Sequence, residues 1–146
     1  MNHLFNKTIF FVLALLTANT VIAEDGYKIR VKIDGYTNDT CILAYRLGKQ
    51  TFVKDTLISK NKKGEFVFTG NKFLKGGLYL ILTKPHNLYL EFLVPNNEDQ
   101  KRLYIHTKLD DKNDLSRNLK IEGSEDNKAF LSYLKFLADI RSRDTK

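Results

Sequence analysis

The chain alternates apolar and polar residues with a period of two from residue 27 to residue 122, and this alternation restricts its fold more than any other feature. The first such segment, YKIRVKID, has Ile29, Val31 and Ile33 on one face and charged side chains on the other. Because successive side chains of a strand point to opposite faces, the segment is predicted to be a half-buried β-strand. Seven more segments follow: CILAYRL, TFVKDTLIS, GEFVFTG, GLYLILTK, LYLEFLVP, RLYIHTKL and LKIEG.

Short connectors such as GYTNDT, GKQ and KNKKG separate these segments, and their Gly, Asn and Asp residues are typical of turns. About eight short strands at regular spacing predict a mainly β fold over residues 24–123. That fold is either an antiparallel β-sandwich or an open barrel. GLYLILTK and LYLEFLVP are apolar on both faces, so we expect both strands at the centre of a sheet, covered above and below.

The pattern becomes helical after Gly123, and residues 124–146 are predicted to be one amphipathic α-helix with a short tail. Ser124 can cap this helix, and two acidic residues follow in its first turn, where they suit the helix dipole. Apolar residues occupy roughly 220° of the helical wheel, whereas a helix lying on one surface needs only about 100°. The remaining arc is a narrow polar stripe that consists of Lys128, Ser132, Lys135 and Asp139.

One sheet cannot bury an apolar arc of that width, so a second surface is predicted to cover the helix. The partner is a second copy of the chain, another protein, or material that follows in a longer chain. The residues expected to face that partner are Phe130, Tyr133, Leu134, Phe136, Leu137 and Ile140.

Residues 1–23 have the pattern of a cleavable signal peptide. A short start with Lys7 precedes the apolar run TIFFVLALLTA, and the small residue Ala23 ends the segment. The run is shorter than the roughly 20 apolar residues of a transmembrane helix. We therefore expect cleavage after Ala23, localisation in the periplasm or cell envelope, and no stable membrane span in the exported protein. No cysteine lies near the cleavage site, which argues against a lipid anchor.

The formal net charge of +7 would suggest nucleic acid as a partner in a cytoplasmic protein. Export makes nucleic acid an unsuitable partner, and the charges are spread along the chain. Lys28, Arg30 and Lys32 form the one local concentration, at alternate positions of the first strand. We expect a solvated sheet face there, with an anionic polymer or lipid surface as the alternative.

The sequence shows no constellation of catalytic or metal-binding residues. Cys41 is the single cysteine, which excludes an internal disulfide or a redox pair, and its place in a strand favours a buried thiol. His86 in a turn and His106 on a strand have no neighbouring ligands, and the acidic stretches NNED and DDKND do not match a calcium loop. We therefore expect no catalytic residue, no metal, no cofactor and no enzymatic activity.

Three tyrosines suggest a different function. Tyr79, Tyr89 and Tyr104 would share one sheet face if their strands are neighbours. Tyrosine hydroxyls need hydrogen-bond partners, so such a row suits a face that is half wet. The face is either an outer sheet surface, the floor beneath the last helix, or a recognition surface for a small molecule or glycan.

Several segments together resemble a known domain: YKIRVKIDGYTNDTCILAYRLGKQTFVKDT, KKGEFVFTG, LKGGLYLIL, LYLEFLV and LKIEGSEDNKAFLSYLKFL. They are similar to the N-terminal domain of unknown function of exported thioredoxin-like proteins of Bacteroidetes-type bacteria, the thiol:disulfide oxidoreductase and peroxiredoxin-like group. The resemblance extends from Tyr27 to Leu137 and is most specific at IEGSEDNKAFLSYL. In longer relatives this helix leads through a linker into a thioredoxin fold with redox cysteines.

The resemblance implies a non-catalytic exported accessory or docking module. The sequence carries no thioredoxin domain and no second cysteine up to Lys146, so we expect a truncated or stand-alone form without redox activity. The alternative function is a periplasmic small-molecule or glycan-binding protein that uses the tyrosine-bearing sheet face.

Overall fold

The computed structural model describes residues 26–85, 87–111 and 114–144, and the predicted signal peptide and His86 lie outside these residues. The described part contains eight strands, one α-helix and one 3-10 helix at Glu98–Lys101. Every predicted strand and the predicted helix are present. The elements are β1 (Tyr27–Asp34), β2 (Thr40–Leu47), β3 (Gln50–Ile58), β4 (Glu65–Gly70), β5 (Gly77–Thr83), β6 (Tyr89–Val94), β7 (Leu103–Lys108), β8 (Lys120–Glu122) and α1 (Glu125–Asp144).

The strands form two four-stranded sheets, with the order β4-β1-β7-β8 in the first sheet and β3-β2-β5-β6 in the second. Neighbouring strands are antiparallel except for β1 and β7, which run parallel with Ile29 opposite Leu103. Neither sheet closes on itself, so the fold is a sandwich and not a barrel. The predicted mainly β class is confirmed, with one parallel pair inside it.

The hydrophobic core lies between the two sheets and is built from the inward positions of the alternating pattern. Burying one large apolar side chain contributes about 1.5–3 kcal/mol, so this shared layer holds the sheets together. The fully buried side chains of the core include Ile29, Val31, Ile33, Phe68, Leu103 and Ile105 from the first sheet and Leu43, Ile81, Leu90 and Phe92 from the second.

The predicted central position is correct for β5 and wrong for β6. β5 lies between β2 and β6, whereas β6 is an edge strand. The apolar outer faces of these strands are only partly covered, since Leu78, Leu82 and Leu93 remain half-buried. β6 nevertheless has apolar residues on both faces. It lies beside α1, which contacts β6 and β8.

Two glycines occupy turns that no other residue fits. Gly64 has a φ of +69°, and a Cβ atom there would lie 2.1 Å from the carbonyl oxygen of Ile33. Gly123 has a φ of +87° between β8 and α1, and its Cβ would lie 2.4 Å from the carbonyl oxygen of Arg102. Both conformations belong to the left-handed region that glycine adopts without steric strain. The second turn therefore sets the direction in which α1 leaves the first sheet.

Candidate functional site

The first turn of α1 is fixed to the sandwich by polar contacts. The backbone N–H of Asn127 points at the Ser124 hydroxyl at 3.4 Å, as expected of a helix cap. The side-chain amide of Asn127 also accepts a hydrogen bond from the N–H of Leu93 at 2.8 Å and donates one to its carbonyl at 2.7 Å. The edge of β6 thus pairs with a side chain as it would with another strand, which ties α1 to the second sheet.

Beyond its first turn α1 has two apolar faces. Leu131 packs against the core cluster on the face toward the sandwich, and Phe130, Leu134 and Leu137 are half-buried. Tyr133, Phe136 and Ile140 are 56%, 60% and 39% exposed. Their spacing of three and four residues places them on one side of the helix, and we call them the exposed stripe.

The six helix residues predicted to face a partner therefore divide into two groups. Phe130, Leu134 and Leu137 are partly covered by the chain itself, while the exposed stripe is left mostly uncovered by the described residues. The sequence pattern indicated too much apolar surface for one sheet, and the structure leaves part of that surface bare. Binding of a partner to it stays a prediction.

The prediction that Tyr79, Tyr89 and Tyr104 share one face is wrong. Tyr79 is only 5% exposed and belongs to the core between the sheets, opposite Phe92 of β6. Tyr89 is 56% exposed and lies opposite Leu82 on the other face of β6. Tyr104 is on the outer face of β7, so the first sheet separates it from Tyr79 and both sheets separate it from Tyr89.

The basic row of β1 lies on the solvated outer face of the first sheet, as expected. Lys28 is exposed, the Arg30 guanidinium lies 5.6 Å from the centroid of the Tyr104 ring, and Lys32 lies 3.0 Å from Glu65. The row is therefore interleaved with aromatic and acidic neighbours instead of forming a continuous cationic surface.

Among the described residues, His106 and Asp34 form the one histidine–carboxylate contact of this face. His106 Nε2 lies 2.8 Å from Asp34 Oδ2, and the imidazole is stacked beside Tyr104 with 6.1 Å between ring centroids. The hydrogen bond from His106 is the main cause that lowers the pKa of Asp34. The geometry describes a hydrogen-bonded side-chain pair on a sheet face, with Lys32 Nζ 3.9 Å from Asp34 Oδ1.

Cys41 is fully buried between the sheets, which confirms the predicted buried thiol. Burial raises the pKa of this thiol to about 12, so it is a neutral thiol at neutral pH. Thiolate chemistry requires the opposite shift, toward an accessible and easily ionised sulfur. In the described residues no group of three His, Cys, Asp or Glu side chains lies close enough to hold a metal ion.

Two concave regions lie at opposite ends of β1. The first, with a volume of about 1090 Å³, separates α1 from the edge of β6 and includes Leu131, Leu134 and Tyr89 in its walls. The second, of about 840 Å³, is flanked by the beginnings of β1 and β5 and by the loop of residues 71–76. Sequence reasoning missed this second region, although the glycine-flanked connector NKFLKGG carries two of its lysines and an aromatic ring.

Fold and surface together define a two-sheet β-sandwich with an attached, partly uncovered C-terminal helix. The chain belongs to the family described as a domain of unknown function, DUF4369, whose family model matches residues 27–130. No curated protein and no solved structure matches the chain. Across the described residues, α1 included, no helix combines the length and apolarity that crossing a membrane requires.

Proposed function

We propose that this chain is a non-catalytic docking module of the cell envelope, which binds a protein partner through the exposed stripe of α1. The observation that carries the proposal is the exposure of Tyr133 and Phe136, with more than half of each aromatic side chain uncovered on a helix whose opposite face is already packed. Burying one such ring contributes about 1.5–3 kcal/mol, so a surface that covers both would be stabilised substantially.

The spacing of the stripe favours a protein partner with a groove. Apolar anchors at positions i, i+3 and i+7 of a helix are the pattern by which a helix enters a hydrophobic groove on another protein. Tyr133, Phe136 and Ile140 have this spacing. The N-terminal part of α1 is held by Asn127, which fixes the first turn, ahead of the stripe, on the sandwich.

The partner that we propose is a thioredoxin-like domain. The resemblance of residues 27–137 to the N-terminal domain of exported thioredoxin-like proteins supports this choice. The small size of the stripe supports it as well, because a stable complex between free proteins buries about 800 Å² on each side. A contact made by only three side chains is sufficient when the partner domain is tethered near the helix, because the effective concentration of that domain is then high. A net charge of +7 disfavours a second copy of the chain by mutual repulsion.

Export and the lack of catalysis are part of the same proposal. The N-terminal pattern of residues 1–23 supports passage to the periplasm or cell envelope. The buried, neutral thiol of Cys41 supports a role without thiol chemistry. The alternative function as a small-molecule or glycan receptor on a three-tyrosine face has lost its geometric basis, because Tyr79 is buried between the sheets and Tyr89 and Tyr104 lie on opposite outer faces.

The test is a titration followed by nuclear magnetic resonance. Isotope-labelled protein is mixed with a thioredoxin-like domain taken from one of the longer relatives, and amide shifts are mapped on the structure. We expect shifts concentrated on α1, and their loss in the double variant Tyr133→Lys, Phe136→Lys. The matched control is Ile58→Lys, Val67→Lys, which changes two exposed apolar residues on the sheets and should bind normally.

Three results would contradict the proposal. The first is the absence of any shift at millimolar partner, and the second is binding that survives the α1 double variant. The third is a stable dimer of the chain alone in sedimentation experiments that the same double variant dissociates, because the stripe would then bind a second copy instead of a thioredoxin-like domain.

A further inference from the structure

We propose that the second concave region, at the beginning of β1, binds an organic anion that has a flat apolar ring and two or three negative groups. We call this region the basic cleft. Its volume of about 840 Å³ falls in the range typical of small-molecule sites. Its lining includes three lysines, one arginine, three tyrosines and Phe73, and it contains no acidic side chain.

The lysines give the basic cleft a net positive charge; the Asp55 carboxylate lies outside its lining but close enough to add to the effect of burial in raising the pKa of Tyr27. Lys54 comes from β3, and Lys72 and Lys75 come from the loop before β5; all three are exposed and form no ion pair with any described residue. Arg46 differs from them, because it is paired with Glu91 at 2.9 Å. Charges of one sign around a concavity with low-dielectric walls reinforce each other and attract counter-ions.

Aromatic rings form the apolar part of the basic cleft. Tyr45 is half-buried and lies between Phe52, at a centroid distance of 5.4 Å, and Tyr79, at 5.9 Å. Phe73 adds a partly exposed ring from the loop, with the ammonium group of Lys101 5.3 Å from its centroid. Aromatic side chains offer flat surfaces on which a ligand ring can stack, so the cleft combines charge with a shape preference.

The loop that carries Lys72 and Lys75 is held in place before any ligand arrives. The fully buried amide of Gln100 accepts a hydrogen bond from the N–H of Leu74 at 2.8 Å and donates to its carbonyl at 2.9 Å and to that of Pro95 at 2.7 Å. The Tyr79 hydroxyl donates to the carbonyl of Lys75 at 3.0 Å. A loop anchored in this way loses little further backbone freedom on binding.

These features select the ligand class. Lysine ammonium groups are compact point charges that bind phosphate, sulfate or carboxylate groups through charge-assisted hydrogen bonds. Three of them around aromatic walls favour a molecule with more than one such group on a ring over a single inorganic ion. The site is separate from the exposed stripe of α1, since no residue of α1 lines it.

The probe is pyranine, a pyrene ring with three sulfonate groups, added to the full chain and followed by fluorescence titration and amide shift mapping. We expect one saturable site, with shifts at residues 45–47 and 71–78 and affinity that falls as salt is added. The triple variant Lys54→Gln, Lys72→Gln, Lys75→Gln should bind roughly tenfold more weakly, because each exposed charge pair contributes modestly and three are removed together. Inorganic sulfate alone should bind far more weakly than the probe.

The matched control removes the same charge elsewhere, through Lys60→Gln, Lys120→Gln and Lys135→Gln, three exposed lysines outside the basic cleft. This variant should keep the affinity of the original protein. Equal weakening in both triple variants would overturn the proposal, since it would reveal general attraction to a basic protein. The proposal would also be overturned if binding did not saturate or if the amide shifts were centred on α1. Sulfate that bound as tightly as pyranine would overturn it too. Circular dichroism of each variant verifies that the fold is kept.

Discussion

Asn127 is a buried polar residue whose side chain completes the edge of a sheet. Its amide satisfies both the N–H and the carbonyl of Leu93, and the Asn127 side chain itself is fully buried. Removing one partner of a buried hydrogen bond costs about 1–3 kcal/mol, because the other partner is left unsatisfied. We therefore expect Asn127→Ala to lower the free energy of unfolding by at least about 1 kcal/mol in urea titrations.

The control variants of Asn127 separate the effect of lost hydrogen bonds on stability from the effect of lost side-chain volume. Asn127→Asp keeps an acceptor for the Leu93 N–H but cannot donate to its carbonyl, so it should also be destabilising. Asn38→Ala, in an exposed loop, should stay within about 0.5 kcal/mol of the original protein. A normal unfolding midpoint for Asn127→Ala would mean that the contact with β6 contributes nothing to stability.

Asp34 predicts a pH dependence of stability. The hydrogen bond from His106 lowers the pKa of Asp34 in the folded state, with smaller contributions from Lys32 and Lys108. A carboxylate with a lowered pKa contributes stability that is fully present above its unfolded value, about 3.9, and is lost as pH falls through the folded value. Asp34→Asn should therefore have a lower urea midpoint than the original protein at pH 6, and the difference should shrink toward pH 2.

The control for this experiment is Glu122→Gln, which removes an exposed carboxylate from the same face of the first sheet. Its effect should be small at every pH. If Asp34→Asn had the same deficit at pH 2 as at pH 6, the loss would come from packing and not from ionisation.

At the scale of one element, α1 should respond differently to changes on its two faces. Leu131 packs against the core, so Leu131→Ala should lower the free energy of unfolding by about 1–2 kcal/mol, less than a fully buried leucine would. Phe136→Ala removes a larger side chain, yet it should change stability by no more than about 0.5 kcal/mol because that ring is mostly exposed. Both values come from urea titrations of the two single variants. Equal losses would show that the exposed stripe is covered in solution.

The positions of strands could be predicted from the sequence because the period of two is a local property. YKIRVKID coincides with β1, and the connectors GKQ and KNKKG contain Gly48 and Gly64, which adopt positive φ angles at turns. Strand order could not be predicted, because alternation defines the faces of a strand and not its neighbours. The parallel pair of β1 and β7 joins segments about seventy residues apart, and nothing in either segment indicates this pairing.

The same limit explains which parts of the candidate sites could be predicted. The exposed stripe depends on spacing within one helix, so the helical wheel was sufficient to indicate its excess of apolar surface. The tyrosine face required the order of three strands and was wrong. The basic cleft assembles Lys54 from β3 with Lys72 and Lys75 from a distant loop, and such a combination is visible only once the sheets are placed together.

For the molecule as a whole, stability should be unevenly distributed. β1 is paired on both sides, by β4 and β7, and Ile29, Val31 and Ile33 are fully or almost fully buried. Its amides should therefore exchange with solvent only when the whole sandwich unfolds. The second half of α1 has few buried side chains, and a short helix without tertiary packing is marginal in water. Its amides should exchange through local opening.

Hydrogen exchange followed by mass spectrometry checks this expectation. In the isolated chain, the peptide that covers residues 27–34 should be protected by several orders of magnitude more than the peptide that covers residues 136–143. Exchange in the first peptide requires global unfolding, which costs about 5–15 kcal/mol, whereas exchange in the second requires only local fraying, which costs almost no free energy. A bound thioredoxin-like domain should raise protection in the second peptide alone, because it would cover the exposed stripe without touching β1. Equal protection of both peptides in the isolated monomer would contradict this picture, since it would mean that the end of α1 is already as stable as the core and has no surface left to cover.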